Sequence, residues 1–517
     1  MTRAALVVVL ALAPTAARAA AYSVTPAGSD TNPGTAAQPW KTLQHAADAV
    51  VAGDTVSVEA GTYVGFSLCY DKPQDGTPTS PITFTAKPGV VINAKNAKTD
   101  DGINLEGCSY IVVQGFEVTG LPRAGIRAVS GGANAIGVVI RGNYCHDNEV
   151  WGIFTSHVDS LLIEGNIAAN SAQQHGIYVS NACVNPTVRA NALLDNAGAG
   201  LHMNGDASQG GSGVITGALV EKNVIIGNGA MGGSGINCDG VQSSRIRNNL
   251  IYDEHASGIS LYQGDAAQPA TNNVVVNNTV IVAADGRWAL NVQNGSTGNR
   301  AENNILLNLN PSHGSIDIDA ASVAAFTSDY NVVMDRFTPD DNTFVTLAAW
   351  RTLTKQDAHS LVATPAQLFA NPRANDYHLS ATSPAIGAGT ATDAPADDLE
   401  GHSRAGGVDI GAYQRCDTCA VDAGAAGAGF TGGAAGSGAA GAGGSAPPDA
   451  GSGGGGAPVA DGGAGHVGTS SGGCGCALAG DADREAALVV AALAVAFLRG
   501  RGGRYRTSRR TSRRGSG

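Results

Sequence analysis

The chain has 517 residues, with 72 glycines, 14% charged residues and 5% aromatics; that balance speaks against a large helical enzyme and for many short, turn-rich units. The net charge of −12 conceals eight arginines between residues 499 and 517 with no acid among them, so the remaining body is eight charges more acidic than the total. Such a body repels nucleic-acid phosphates and anionic lipid, which argues against a nucleic-acid partner.

The N-terminus reads as a secretory leader over residues 1–21. Arg3 supplies the positive end, "AALVVVLAL" (4–12) the apolar core and "ARA" (17–19) a small-residue cleavage site. Export permits disulfides. The chain has nine cysteines, and Cys69–Cys108 and the "CDTC" pair (416–419) are candidates for closure. "TLQHAADAV" (42–50) places Leu43, Ala46, Ala47 and Val50 on one helical face behind Thr42 as N-cap, with His45 on the polar face.

An internal repeat follows. "GINLEG" (102), "GIRAVS" (125), "GIFTSH" (152), "GIYVSN" (176), "GLHMNG" (200), "GINCDG" (235) and "GISLYQ" (258) share a glycine–aliphatic start, and "ALNVQN" (289) repeats it without the glycine. Between them runs a second strand ending in Asn143, Asn166, Asn191, Asn223, Asn249, Asn278 and Asn304. Two short strands and turns per repeat suit one coil of a parallel β-helix, in which stacked asparagines at a fixed turn bond their neighbours above and below. Arg141, Glu164, Arg189, Glu221 and Arg247, two residues before the asparagines, alternate in sign up the stack, which avoids like charges on adjacent strands. The helix over 42–50 then plugs the first coil, because an open end exposes unpaired strand edges.

Three segments carry a resemblance. "GSDTNPGT" (28–35), "PWKTLQHAAD" (39–48) and "GDTVSVEAGTY" (53–63) resemble the opening of secreted right-handed β-helix proteins, including family 9 pectate lyases. "SPAIGAGT" (383–390) with "GGVDIGAYQ" (406–414) resembles the choice-of-anchor Q segment that ends such helices. The expected fold is therefore all-β: a right-handed parallel β-helix over 22–415. It would have an N-terminal cap (22–63), coils (about 64–335) and a C-terminal cap (about 336–415) that includes a helix around Trp350. Residues 416–473 form a linker whose Gly, Ala, Ser, Pro and Asp content cannot build a core. "CGC" (474–476), "AALVVAALAVAFL" (486–498) and the arginine tail resemble MYXO-CTERM sorting signals. That likeness implies an exported, surface-tethered protein that touches membrane only through residues 474–517; the chain is expected to be a monomer.

Aligning the glycine strands leaves aliphatic positions inward and two columns outward. Their centre gathers Tyr178, His202 and Asn237 beside Ser180, Asn204, Asp239 and Tyr262, with His175, Asp206 and Asp265 in bordering turns. The expected chemistry is β-elimination on an acidic polysaccharide. His202 or Tyr178 serves as base, with Asp239 as a third catalytic group. Asn204, Asn237, Tyr262, Ser180 and His175 would hold substrate, and Asp206, Asp239 and Asp265 would bind Ca²⁺ through oxygen ligands. Hydrolysis or epimerisation on the same fold, and a non-catalytic carbohydrate-binding adhesin, are the competing readings. The lysine base and aspartate-rich calcium site of family 9 pectate lyases have no counterpart in the outward columns, and the "DD" plus "GHG" set of polygalacturonases is missing.

Overall fold

The computed structural model describes residues 19–415; the leader through Arg18, the "CDTC" pair, the linker and the sorting segment lie outside the described residues. The strands assemble into parallel sheets of 12, 11 and 12 strands, wound as about eleven coils. Two strands per repeat are expected from the sequence, but each coil has three. One coil runs through Val139–Arg141, Tyr144–His146 and Trp151–Ser156. The middle strand is only three residues long and turns just Cys145 inward, too short for alternation to show in sequence.

The lumen is a stack of aliphatic side chains. Ile126, Ile153, Ile177, Leu201, Ile236 and Ile259 of the glycine strands are fully buried, each contributing roughly 1.5–3 kcal/mol by burial. Register follows from this filling, since a one-residue slip would turn every aliphatic residue to solvent. Tyr178, His202, Asn237, Ser260, Asn291 and Asp317 consequently stand on successive rungs.

The asparagine ladder forms as expected. Asn191 Oδ1 accepts from the Asn166 backbone N–H (2.9 Å) and Nδ2 (3.1 Å), while its own Nδ2 donates to the Ile163 carbonyl and to Asn223 Oδ1, both at 3.0 Å. The ladder extends one coil further, to Asn331. At the next corner a second ladder runs from Asn196 through Asn228 (2.8 Å) and ends on Glu254 Oε1 (3.0 Å). The alternating charges also pair: Glu164 accepts from Arg141 (2.7 Å) and Arg189 (2.6 Å), and Glu221 from Arg247 (2.8 Å).

The helix Leu43–Ala49 closes the first coil, with Thr42 Oγ1 accepting from the His45 N–H and Leu43, Ala46 and Ala47 buried. Strands already begin at Ala21–Val24 and Thr55–Val58, inside the segment expected to be only cap. At the other end, Leu347–Thr354 is helical and its buried Trp350 stacks on Phe337 at 5.0 Å. Residues beyond 380 run back along the coils, where Asp393 pairs with Arg245 and Arg300, and Asp397 with Lys222. Cys69 and Cys108 form a disulfide; Cys145, Cys183 and Cys238 are free and buried.

Candidate functional site

The central cluster lies outside the lumen, as the register requires, yet its imidazole is roofed. His202 is only 8% exposed, with the His175 ring at 4.6 Å and the Tyr178 ring at 4.7 Å between centroids. Burial pushes its pKa down to about 4, and that of His175 also falls, through burial and the adjacent His202. One Asn237 amide nitrogen donates both to His202 Nδ1 and to the Tyr262 hydroxyl, each at 2.8 Å. Asn204 donates to the Tyr178 hydroxyl (3.1 Å) and leaves Oδ1 buried without a partner.

Several residues expected at the site serve the backbone instead. Ser180 is buried and donates to the Thr155 carbonyl at 3.0 Å. His175 Nδ1 accepts from the Ala199 N–H. Asp239 accepts from the Gly264 and Asp265 N–H groups, both at 2.7 Å, and so pins the turn that follows Tyr262. Burial still holds its carboxyl above the usual carboxylate range. Asp206 caps a short 3-10 turn through the Ser208 N–H, and Asp265 is exposed. Among the described residues no three His, Cys, Asp or Glu side chains converge to hold a metal ion. With both Asp239 oxygens engaged by amides, these aspartates do not fit a calcium cradle.

The open part of this face lies further along the coil. A cavity of about 650 Å³ takes Asn237 and Tyr262 from the predicted cluster and continues over Asn291, Gln293 and Asp317. Its leading edge carries Arg287, Trp288 and His313 from the turns before the strands, and Phe344 from the segment after Phe337–Thr338. Trp288 and Phe344 stack at 6.0 Å, Arg336 lies 5.0 Å over Phe344, and His313 stands edge-on to Trp288 at 5.5 Å. The Arg287 side chain is exposed and has no carboxylate partner among the described residues. Burial and the cations Arg287 and Arg336 lower the His313 pKa, so its imidazole is neutral at pH 7. His313 Nδ1 is buried without a partner.

The trailing edge is acidic. Asp317, nearly buried on its strand, accepts from Thr338 Oγ1 and from Gln293 Nε2 (3.2 Å) and faces Asp341; Gln293 also reaches Asp341 at 3.4 Å. Burial, followed by the Asp341 charge, pushes Asp317 up to about 6.

These groove residues were missed because their rungs lack the glycine signature. "SIDID" (315–319) starts on Ser315 and the next strand is only Phe337–Thr338. Extending the repeat one interval beyond Ala289 lands on Ser315, and would have placed Asp317 in the outward column.

These features define a right-handed parallel β-helix protein with a polar, aromatic-edged groove on one sheet. Residues 22–169 match the family model described as Pel9A-like, right handed beta helix region. The chain is 26% identical over 452 residues to the uncharacterized protein YwoF of Bacillus subtilis (strain 168), covering 70% of this chain and 91% of that relative. Among solved structures it is similar to pectate lyase Pel9A, with a TM-score of 0.52 and 16% identity over 77% of this chain and 96% of the other; that likeness is one of fold.

Proposed function

We propose that the chain is an exported, polysaccharide-active enzyme that cleaves uronate-containing glycans by β-elimination in the groove. The similarity in fold to a pectate lyase supports the class. The observation that carries the reaction is Arg287, an unpaired guanidinium lining the same cavity as the neutral imidazole of His313. A guanidinium binds a carboxylate bidentately and withdraws the charge that resists loss of the α-proton. His313 takes the C5 proton, the C5–H electrons form the C4=C5 double bond and the C4–O bond breaks. The imidazolium so formed returns its proton to the departing oxygen. Trp288 and Phe344 offer faces for the sugar ring.

The leader and the sorting tail accord with an extracellular polymer as substrate and with attachment at the cell surface.

The test is the ultraviolet absorbance of the unsaturated product when the full chain meets a panel of uronate polymers, with and without EDTA. His313→Ala should lower the rate about 100-fold or more, and Arg287→Ala should weaken it as strongly. Absence of unsaturated product with every polymer would refute elimination. Loss of product in His202→Ala with His313→Ala fully active would move the chemistry back to the buried cluster.

A further inference from the structure

The groove is divided in charge across the strands. Arg287, Trp288 and Phe344 occupy the leading edge, with Arg336 over the Phe344 ring, whereas Asp317 and Asp341, with Gln293 donating to both, occupy the centre and trailing edge. Arg287 stands four residues before Asn291 and His313 four before Asp317, most of them in the turns that lead into the strands Leu290–Val292 and Ile316–Ile318; at up to roughly 3.3 Å per extended residue that leaves room for adjacent sugars in one glycan. A uronate carboxylate finds a partner only on the leading side. On the trailing side Asp317 ionises at neutral pH, and no lysine or arginine lines that part of the cavity. A second carboxylate there meets like charge in a partly desolvated site, which weakens its binding.

Resting on the uronate reading above, we infer that the groove selects a mixed polymer, seating a uronate against Arg287 and an uncharged or amino sugar against Asp317 and Asp341. A chain with a carboxylate on every sugar is the wrong ligand. Hydroxyl, amide or ammonium donors of the neighbouring sugar satisfy the carboxylate oxygens, and the Tyr262 hydroxyl and Asn291 amide line the same subsite.

Calorimetric binding to the full chain distinguishes the two ligands, with His313→Ala as the background that suppresses turnover. The probes are oligosaccharides of equal length, one alternating glucuronate with N-acetylglucosamine and one of galacturonate alone. At neutral pH the alternating probe should bind at least about tenfold tighter. Asp341→Asn, a change at an exposed side chain, should close that gap by strengthening the homopolymer. Equal affinities, failure of both probes to bind, or a gap untouched by Asp341→Asn would overturn the inference. Binding that shows the gap while wild type yields no unsaturated product would sink the elimination reading alone.

Discussion

Asn237 donates to His202 Nδ1 at 2.8 Å, so the imidazole carries its proton on Nε2 and stays neutral beneath the Tyr178 and His175 rings. Its folded pKa of about 4 lies below the ordinary imidazole value of 6.5. The unfolded chain therefore binds more protons between those values; the stabilisation is complete above about 6.5 and is lost as pH falls towards 4. The His202 ring proton shift, followed by NMR, should be flat from about pH 5 to 8. A midpoint near 6.5 would show that the ring is open to water.

Glu254 has the opposite sign. Fully buried at the end of the second ladder, with Oε2 unpartnered, it is pushed up to about 8 from 4.5. The native state keeps a proton that the unfolded state releases, so stability is full below about 4.5 and declines as pH rises through 8. Glu254→Gln supplies the neutral group that the ladder calls for. It should raise stability by about 2 kcal/mol or more above pH 8 and little at pH 4, read from denaturant melts at both pH values.

Asn223 satisfies the Asn191 N–H, the Asn191 side-chain amide and the Val188 carbonyl at 2.9–3.0 Å. Asn223→Ala strands all three in the interior. The loss should exceed about 3 kcal/mol, since each stranded polar group costs about 1–3 kcal/mol. A chemical melt unchanged within about 0.5 kcal/mol would show that water fills the gap.

The Cys69–Cys108 disulfide closes a separation of 39 residues near the N-terminal end of the coils. Reduction should cost about 3–4 kcal/mol by freeing the unfolded loop and should lower the melting temperature in a reductant series. Cys145→Ala, at a free buried thiol, should leave that reductant dependence intact.

Repetition made the coil legible. Each winding has to present aliphatic residues inward and an asparagine at the same corner, so the pattern recurs along the chain and can be read without coordinates. Asn143 through Asn304, the alternating Arg141–Arg247 series and the helix over Leu43–Ala49 all follow from that constraint. The third strand escaped notice because three residues show no alternation. The second ladder escaped because its corner changes residue type from coil to coil, through Asn148, Ser171, Asn196, Asn228 and Glu254.

The outward columns were likewise set by sequence, since a lumen that must be filled fixes which side chains point away from it. Their accessibility was not. Whether an outward His202 meets solvent depends on the His175 and Tyr178 rings, which reach it from the preceding coil; whether Asp239 is free depends on the turn carrying Gly264 and Asp265. The groove required the tertiary structure most of all. Arg287, His313, Asp317 and Asp341 are separated by turns of unequal length, and only the winding of the coil brings them to one cavity. Local pattern determines which way a residue faces, because that is decided within its own strand; what covers it is decided by residues one or more windings away.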